Sequence, residues 1–323
     1  MKKTRPAEGV RTTSTYDRTT LQGAGRNLIP PFRLALSAKG NCRELICTDI
    51  IRNLPGKRLT LFGMWENKTP VVAKVYLDPR RGRRHFKREV QGLASLEKAR
   101  IPTVPVLFAG MLADGQTPIF LTQRVGDAFN LGERIASEEP AGDDALRLLK
   151  RVVTTIAQMH GAGISQRDIH PGNFLLRNDD VMVIDGADIQ VHHKTPLPER
   201  RSIANLALFL AQFYPGREAI LTELITHYGH CREWPMTPER QKRVQDAIRQ
   251  WSDWREKKFL RKTLRSCTAF IAEKTWYRRK ICDRTWQAHN RWPFLRDIDA
   301  AITNGSVLKA GNTATVVRIT PGN

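Results

Sequence analysis

The chain has 323 residues, 41% apolar and 26% charged, a globular composition with enough length for one large domain or two lobes. Its 53 basic and 32 acidic residues leave a formal net charge of +21, which implies an anionic partner: nucleic acid, an acidic membrane face or a phosphorylated substrate. Five scattered cysteines form no CxxC pair and no His-linked metal pattern, an odd set that suits a reducing cytoplasm better than a disulfide framework. No apolar run approaches the ~20 residues of a membrane span, and the N-terminus has no apolar signal core.

Residues 1–30, rich in Thr, Arg and Gly, read as a flexible basic arm. Strands are expected at 43–51, 58–63 and 70–76, with Leu54-Pro55-Gly56-Lys57 turning between the first two. Residues 82–99 read as a helix, because Phe86, Val90, Leu93 and Leu96 fall on one face. Short strands follow at 106–109 and 119–123, completing a five-stranded antiparallel sheet with one helix over 31–124. Arg124-Val125-Gly126 then reads as a hinge. From 125 to 300 the pattern is mainly helical: a long helix marked by Leu146, Leu149, Val153, Ile156 and Met159, then helices near 200–213, 216–228 and 238–262. The tail, 301–323, carries strand-like VLKAGNTATVVRI, either the start of a second unit or a strand added to the sheet.

Two runs carry the chemistry: QRDIHPGNFLL at 166–176 and VMVIDGAD at 181–188. Phe174–Leu176 and Val181–Ile184 read as a buried hairpin that fixes a loop at one end and an acid at the other. The order Asp168, Asn173, Asp185 is the layout of phosphoryl transfer, with Asp168 as base and Asn173 and Asp185 as Mg²⁺ ligands against ATP. Upstream, Lys74 sits in the apolar strand VVAKVY, and Glu89 follows fifteen residues later in the helix. Taken alone, they are a snorkelling lysine and a solvated glutamate; with the downstream runs, they are a phosphate anchor and its partner.

Several features depart from the protein-kinase pattern. The nucleotide loop lacks GxGxxG; its turn, NLPGKR, offers Gly56, Lys57 and Arg58 to cover phosphates, or is an ordinary Pro-Gly turn. Gln166 stands where a loop histidine is usual, and His170 lies two residues after Asp168. Gly186-Ala187 replace Phe-Gly after the acid. Asp188 is either a third carboxylate near the metal or a solvated turn residue. Only about fifteen residues separate Asp185 from the next helix, with no APE motif. That is little room for a peptide-docking platform, so a small hydroxylated acceptor fits better.

REVQGLASLEKARIPTVPVLFAG, QRDIHPGNFLL and VMVIDGAD together resemble the lipopolysaccharide kinases of the Kdo/WaaP/InaA type, over about residues 43–230. The resemblance implies an α+β, bilobal protein-kinase-like fold. It also implies an ATP- and Mg²⁺-dependent transfer to a heptose or Kdo hydroxyl of the lipopolysaccharide inner core. Lys74, Glu89, Asp168, Asn173 and Asp185 carry the family's roles. The implied partner is lipopolysaccharide core or another anionic glycolipid, met by a cytoplasmic enzyme peripheral to the inner membrane. A Ser/Thr protein kinase and a pseudokinase scaffold at an anionic membrane are the rival readings. Nucleic acid is not expected, since it explains the charge and not the motifs. Six of seven tryptophans lie in 231–296 among many Arg and Lys. They form either an interfacial surface for anionic lipid or the core of the large lobe under a solvated basic face.

Overall fold

The alternation in FRLALSA decides where the first long strand packs. Phe32, Leu34 and Leu36 are buried, while the residues between them face outward. A computed structural model of the chain describes residues 14–38, 41–137, 143–178, 180–267, 269–276, 279–285, 298–311 and 315–318. These fall in two units, Met1–Arg249 and Gln250–Asn323. The architecture is α+β.

The first unit opens with β1 (Thr15–Tyr16), α1 (Arg18–Ala24) and β2 (Phe32–Ala38). From Thr15 onward this corrects the expectation of a flexible arm. Asp17 caps α1 by accepting from the Thr20 N–H at 2.8 Å, and Leu21 is buried in the core. A buried leucine contributes about 1.5–3 kcal/mol, enough to hold one short helix. Residues 1–13 lie outside the described residues.

Next come β3 (Asn41–Leu54), β4 (Arg58–Trp65), β5 (Thr69–Tyr76), α2 (Gly82–Lys98), β6 (Val106–Leu112) and β7 (Pro118–Gln123). All five expected strands and the helix are present. The sheet has seven strands rather than five, in the order β1-β2-β3-β4-β5-β7-β6. It also closes, because β2 pairs with β6 through Leu36↔Leu112 and Ser37↔Met111. The closed strands surround one core that includes Leu34, Leu45, Leu61, Ala73, Val75 and Leu121. On β5 this sends Val71, Ala73 and Val75 inward. Lys74 is left on the outer face, toward α2.

Beyond the sheet run β8 (Phe129–Asn130), α3 (Leu131–Ser137), α4 (Asp143–Gly161), β9 (Ile164–Gln166), β10 (Phe174–Arg177), β11 (Asp180–Val183) and β12 (Ile189–Val191). Helices α5 (Glu199–Leu210), α6 (Glu218–Cys231) and α7 (Pro238–Thr263) follow. The expected hairpin is β10–β11, with Phe174 opposite Val183 and Arg177 opposite Asp180. Both β8 and the β9–β12 pair are additions to the sequence reading, each too short to show a period.

The second unit holds the end of α7, the hairpin β13 (Phe270–Lys274) with β14 (Arg279–Asp283), α8 (Ile298–Thr303) and the hairpin β15 (Ser306–Ala310) with β16 (Thr315–Arg318). The tail strands therefore pair with each other. Trp286 and Trp292 lie outside the described residues.

Candidate active site

Lys74 enters the site because β5 alternates. Its neighbours Ala73 and Val75 fill the sheet core, and its own side chain must leave on the other face. There it meets α2. Lys74 Nζ lies 2.6 Å from Glu89 Oε1 and 3.7 Å from Asp185 Oδ1. Glu89 shares its helix face with Gly92, Leu93 and Leu96 and is only 1% exposed. A glutamate buried this deeply needs a charged partner.

The two acids respond differently to this enclosure. Burial pushes the Glu89 carboxyl up, and the pull of Lys74 does not reverse it. Burial also acts to raise Asp185, but Lys74 and then Arg58 outweigh it and hold Asp185 below its usual range.

The turn after Asp185 is packed against α2 with no room for a side chain. A Cβ on Gly92 would sit 1.9 Å from the Gly186 carbonyl oxygen, and one on Gly186 would sit 2.3 Å from the Glu89 carbonyl oxygen. The approach lets the Gly186 N–H donate to Glu89 Oε1 at 3.2 Å. Asp185 itself is left-handed, with φ 71°. Gln166 steadies it by donating from Nε2 to the Asp185 carbonyl at 3.0 Å. Gln166 is fully buried, and its backbone exchanges bonds with Asn205. Asn205 bonds His160, which bonds Tyr228. A polar chain therefore runs from α6 to the Asp185 backbone.

The loop of Asp168 and Asn173 is fixed from several directions. Asn173 Nδ2 donates to the Asp168 carbonyl at 2.8 Å, and the Ile184 N–H donates to the Asn173 carbonyl at 2.9 Å. Asn130 Nδ2 donates to the Gly172 carbonyl, while its Oδ1 caps α3 by accepting from Gly132. Gln212 Nε2 donates to the Ile169 carbonyl at 3.0 Å. The Asp168 side chain is exposed.

The structure thus brings Lys74, Glu89 and Asp185 into contact and ties Asn173 and Asp168 to them through backbone bonds. Gly56 and Lys57 lie in the β3–β4 turn. Pro55 and Gly56 are its central residues, with φ 66° at Gly56, and the Lys57 N–H donates to the Leu54 carbonyl at 2.9 Å. That is type II geometry, which needs glycine at the second central position. Arg58, one residue on, is the turn residue whose charge reaches Asp185. Asp188 is a partly exposed turn residue whose carboxylate is held by two cations, Arg88 at 2.8 Å and Arg167 at 3.2 Å. The residues that sequence reasoning missed are Gly92, Asn130, Asn205 and Gln212. Their only signal was a glycine or amide beside an apolar run.

The site suits a divalent cation and a polyphosphate. Tyr76 Oη, Glu89 Oε2 and Asp185 Oδ1 are buried with no hydrogen-bond partner among the described residues. Each such atom costs about 1–3 kcal/mol if left so, and Tyr76 and Asp185 both lie close enough to Glu89 to act on it, a grouping that marks a place for a polar ligand. Asn173 commits its amide nitrogen to the loop, which leaves its oxygen for a hard cation. Among the described residues no three His, Cys, Asp or Glu side chains form a metal cage. Mg²⁺ needs only one or two protein oxygens beside phosphate oxygens, so Asn173 and Asp185 fit it.

The model of the lipopolysaccharide kinase (Kdo/WaaP) family matches residues 53–216, just over half of the chain. The matched span contains Lys74, Glu89, Asp168, Asn173 and Asp185. No curated protein matches the chain.

Proposed function

Because the chain belongs to the lipopolysaccharide kinase (Kdo/WaaP) family, we propose that it transfers the γ-phosphoryl group of ATP to a heptose or Kdo hydroxyl of the lipopolysaccharide inner core. Its class is that of a phosphotransferase with an alcohol group as acceptor. The observation that carries the finer reading is the position of Lys74, 2.6 Å from Glu89 and 3.7 Å from Asp185. A cation held so between two acids is aimed and kept from folding back, and its remaining donors are free for the α- and β-phosphates.

In this reading Asp168 accepts the proton of the attacking hydroxyl, and its exposure leaves that hydroxyl room to approach. Asn173 and Asp185 hold Mg²⁺, which supplies charge neutralisation on the phosphates when bound. Glu89 restrains Lys74, and Arg58 adds positive charge beside the phosphates. The protein's part is placement and charge, not covalent chemistry. We take the arrangement of the first unit to be bilobal, with the closed sheet and α2 as the small lobe and helices α4, α5 and α6 in the large one.

The acceptor is an anionic glycolipid, and the enzyme works at the cytoplasmic face of the inner membrane. The support is the +21 charge together with exposed aromatic and basic groups in the second unit. No helix among the described residues is long and apolar enough to cross a membrane. The test is to incubate the protein with ATP, Mg²⁺ and lipopolysaccharide lacking core phosphate, then to map the product by mass spectrometry. A phosphoryl group on a core heptose or Kdo is the expected result. Phosphate found only on polypeptide would replace the reading with that of a protein kinase.

A further inference from the structure

We infer that Asp188 is a positioning residue, which clamps α2 to the loop of Asp168 and so holds the two halves of the site in register. The inference rests on the kinase reading for its consequence and on geometry alone for its existence. Asp188 closes the short 3-10 turn Gly186–Asp188, which begins directly after Asp185. Its Oδ1 accepts from Arg88 Nη2 at 2.8 Å and from Arg167 Nη2 at 3.2 Å. Arg88 immediately precedes Glu89, and Arg167 immediately precedes Asp168. The Asp188 carbonyl also accepts from the Arg167 N–H at 2.9 Å. One residue therefore joins two other segments to its own, and each of the three carries a candidate site residue.

The magnitudes separate this role from two simpler ones. Side chains of Arg88 and Asp188 are about one-third exposed and that of Arg167 is about half exposed. Ion pairs so open to solvent add little to global stability, so a purely stabilising role is a poor account of three converging bonds. An oxygen already shared by two guanidinium groups is also a poor metal ligand, because bound cations repel an incoming one. What remains is geometry: a displacement of about 1 Å at a phosphoryl-transfer site is enough to lower the rate by ~100-fold.

The test uses the full chain with Asp188→Ala, Asp188→Glu, Arg88→Gln, the double Asp188→Ala/Arg88→Gln, and Arg33→Gln as a control at a remote ion pair. Amide hydrogen exchange is read in peptides covering residues 82–98 and 163–175. Asp188→Ala should speed exchange in both segments at an essentially unchanged melting temperature, and Arg33→Gln should leave them alone. Turnover with Mg·ATP should fall about 10- to 100-fold in kcat, with the smaller change in KM for ATP. The double variant should be no worse than the more impaired single variant. Asp188→Glu should recover part of the loss. Unchanged exchange in both segments would overturn the clamp, and so would faster exchange throughout the chain with a lower melting temperature. A loss rescued by raised Mg²⁺ and not shared by Arg88→Gln would make Asp188 a metal ligand, and would also overturn it. If the wild type shows no Mg·ATP turnover at all, the kinase reading fails, and the exchange measurement still decides the clamp.

Discussion

Lys74 is the residue on which the site's electrostatics turn, because it is the cation paired at 2.6 Å with a glutamate that is 1% exposed. Lys74→Met leaves Glu89 buried beside Asp185, and Glu89 escapes by taking up a proton. Its folded pKa, already raised, then rises further above the unfolded value. A raised folded pKa gives stability that is present at low pH and lost as pH rises through it. The variant should therefore lose stability relative to wild type between pH 5 and pH 8, by up to about 3 kcal/mol. Urea unfolding across that range checks it, and a pH-independent difference would mean that Glu89 is not the group involved. Asp168 tests the opposite case. Its carboxylate is exposed, so Asp168→Ala should leave stability within about 0.5 kcal/mol. Turnover should fall by about 10²–10⁴-fold with ATP affinity nearly unchanged. Normal turnover in that variant would remove Asp168 from the mechanism. That Lys74 meets a partner was legible in the sequence, because a lysine inside an apolar strand needs one. Asp188 was not, since a turn aspartate looks the same whether it faces solvent or two arginines 21 and 100 residues away.

At the scale of elements, the site depends on how closely α2 lies on the turn after Asp185. Gly92→Ala would place a methyl group 1.9 Å from a backbone oxygen, and no side-chain rotation relieves that. Helix and turn must part, which loosens the Gly186–Glu89 bond. We expect a destabilisation of about 1–3 kcal/mol and loss of nucleotide binding, measured by unfolding and by titration with Mg·ATP. Intact binding would show that the contact is not needed. The helical scaffold behind the loop has its own pH signature. Burial pushes the His160 imidazole down to about 4, and it bonds Tyr228 and Asn205 in the neutral form. A depressed folded pKa gives stability that is complete above about 6.5 and is lost as pH falls toward 4, worth at most about 3 kcal/mol. His160→Gln should therefore cost most at pH 7, and the gap to wild type should narrow by pH 4.5. The long elements were readable because periodicity persists over α2, α4 and β3–β5. Within the expected arm, the part from Thr15 onward departed from the reading because composition conceals a capped helix with one buried leucine. Closure of the sheet between β2 and β6 rests on two residue pairs far apart in sequence, which no local pattern announces.

At the scale of the whole molecule, the charge of +21 needs a counterpart that the active site alone does not supply. Trp276 is 94% exposed, and Trp254, Phe259 and Leu260 are exposed on the part of α7 that belongs to the second unit. Lys257, Lys258, Arg261 and Lys262 stand among them, with Lys258 Nζ 4.3 Å from the centre of the Trp254 ring. Exposed rings beside a dense row of cations match an interface of anionic headgroups over hydrocarbon. Each cation near such a surface contributes about 1 kcal/mol, an attraction screened within ~8 Å at physiological salt. Binding to vesicles containing phosphatidylglycerol should therefore be strong at low salt and fall steeply as salt is added. Changing Lys257, Lys258 and Lys262 to Glu should abolish the salt-sensitive part, and Trp276→Ala should weaken what remains at high salt. Neither change touches a buried side chain, so circular dichroism and melting should stay near wild type. Salt-insensitive binding, or none at low salt, would assign the positive charge to the soluble part of the acceptor, and the membrane would drop out of the mechanism.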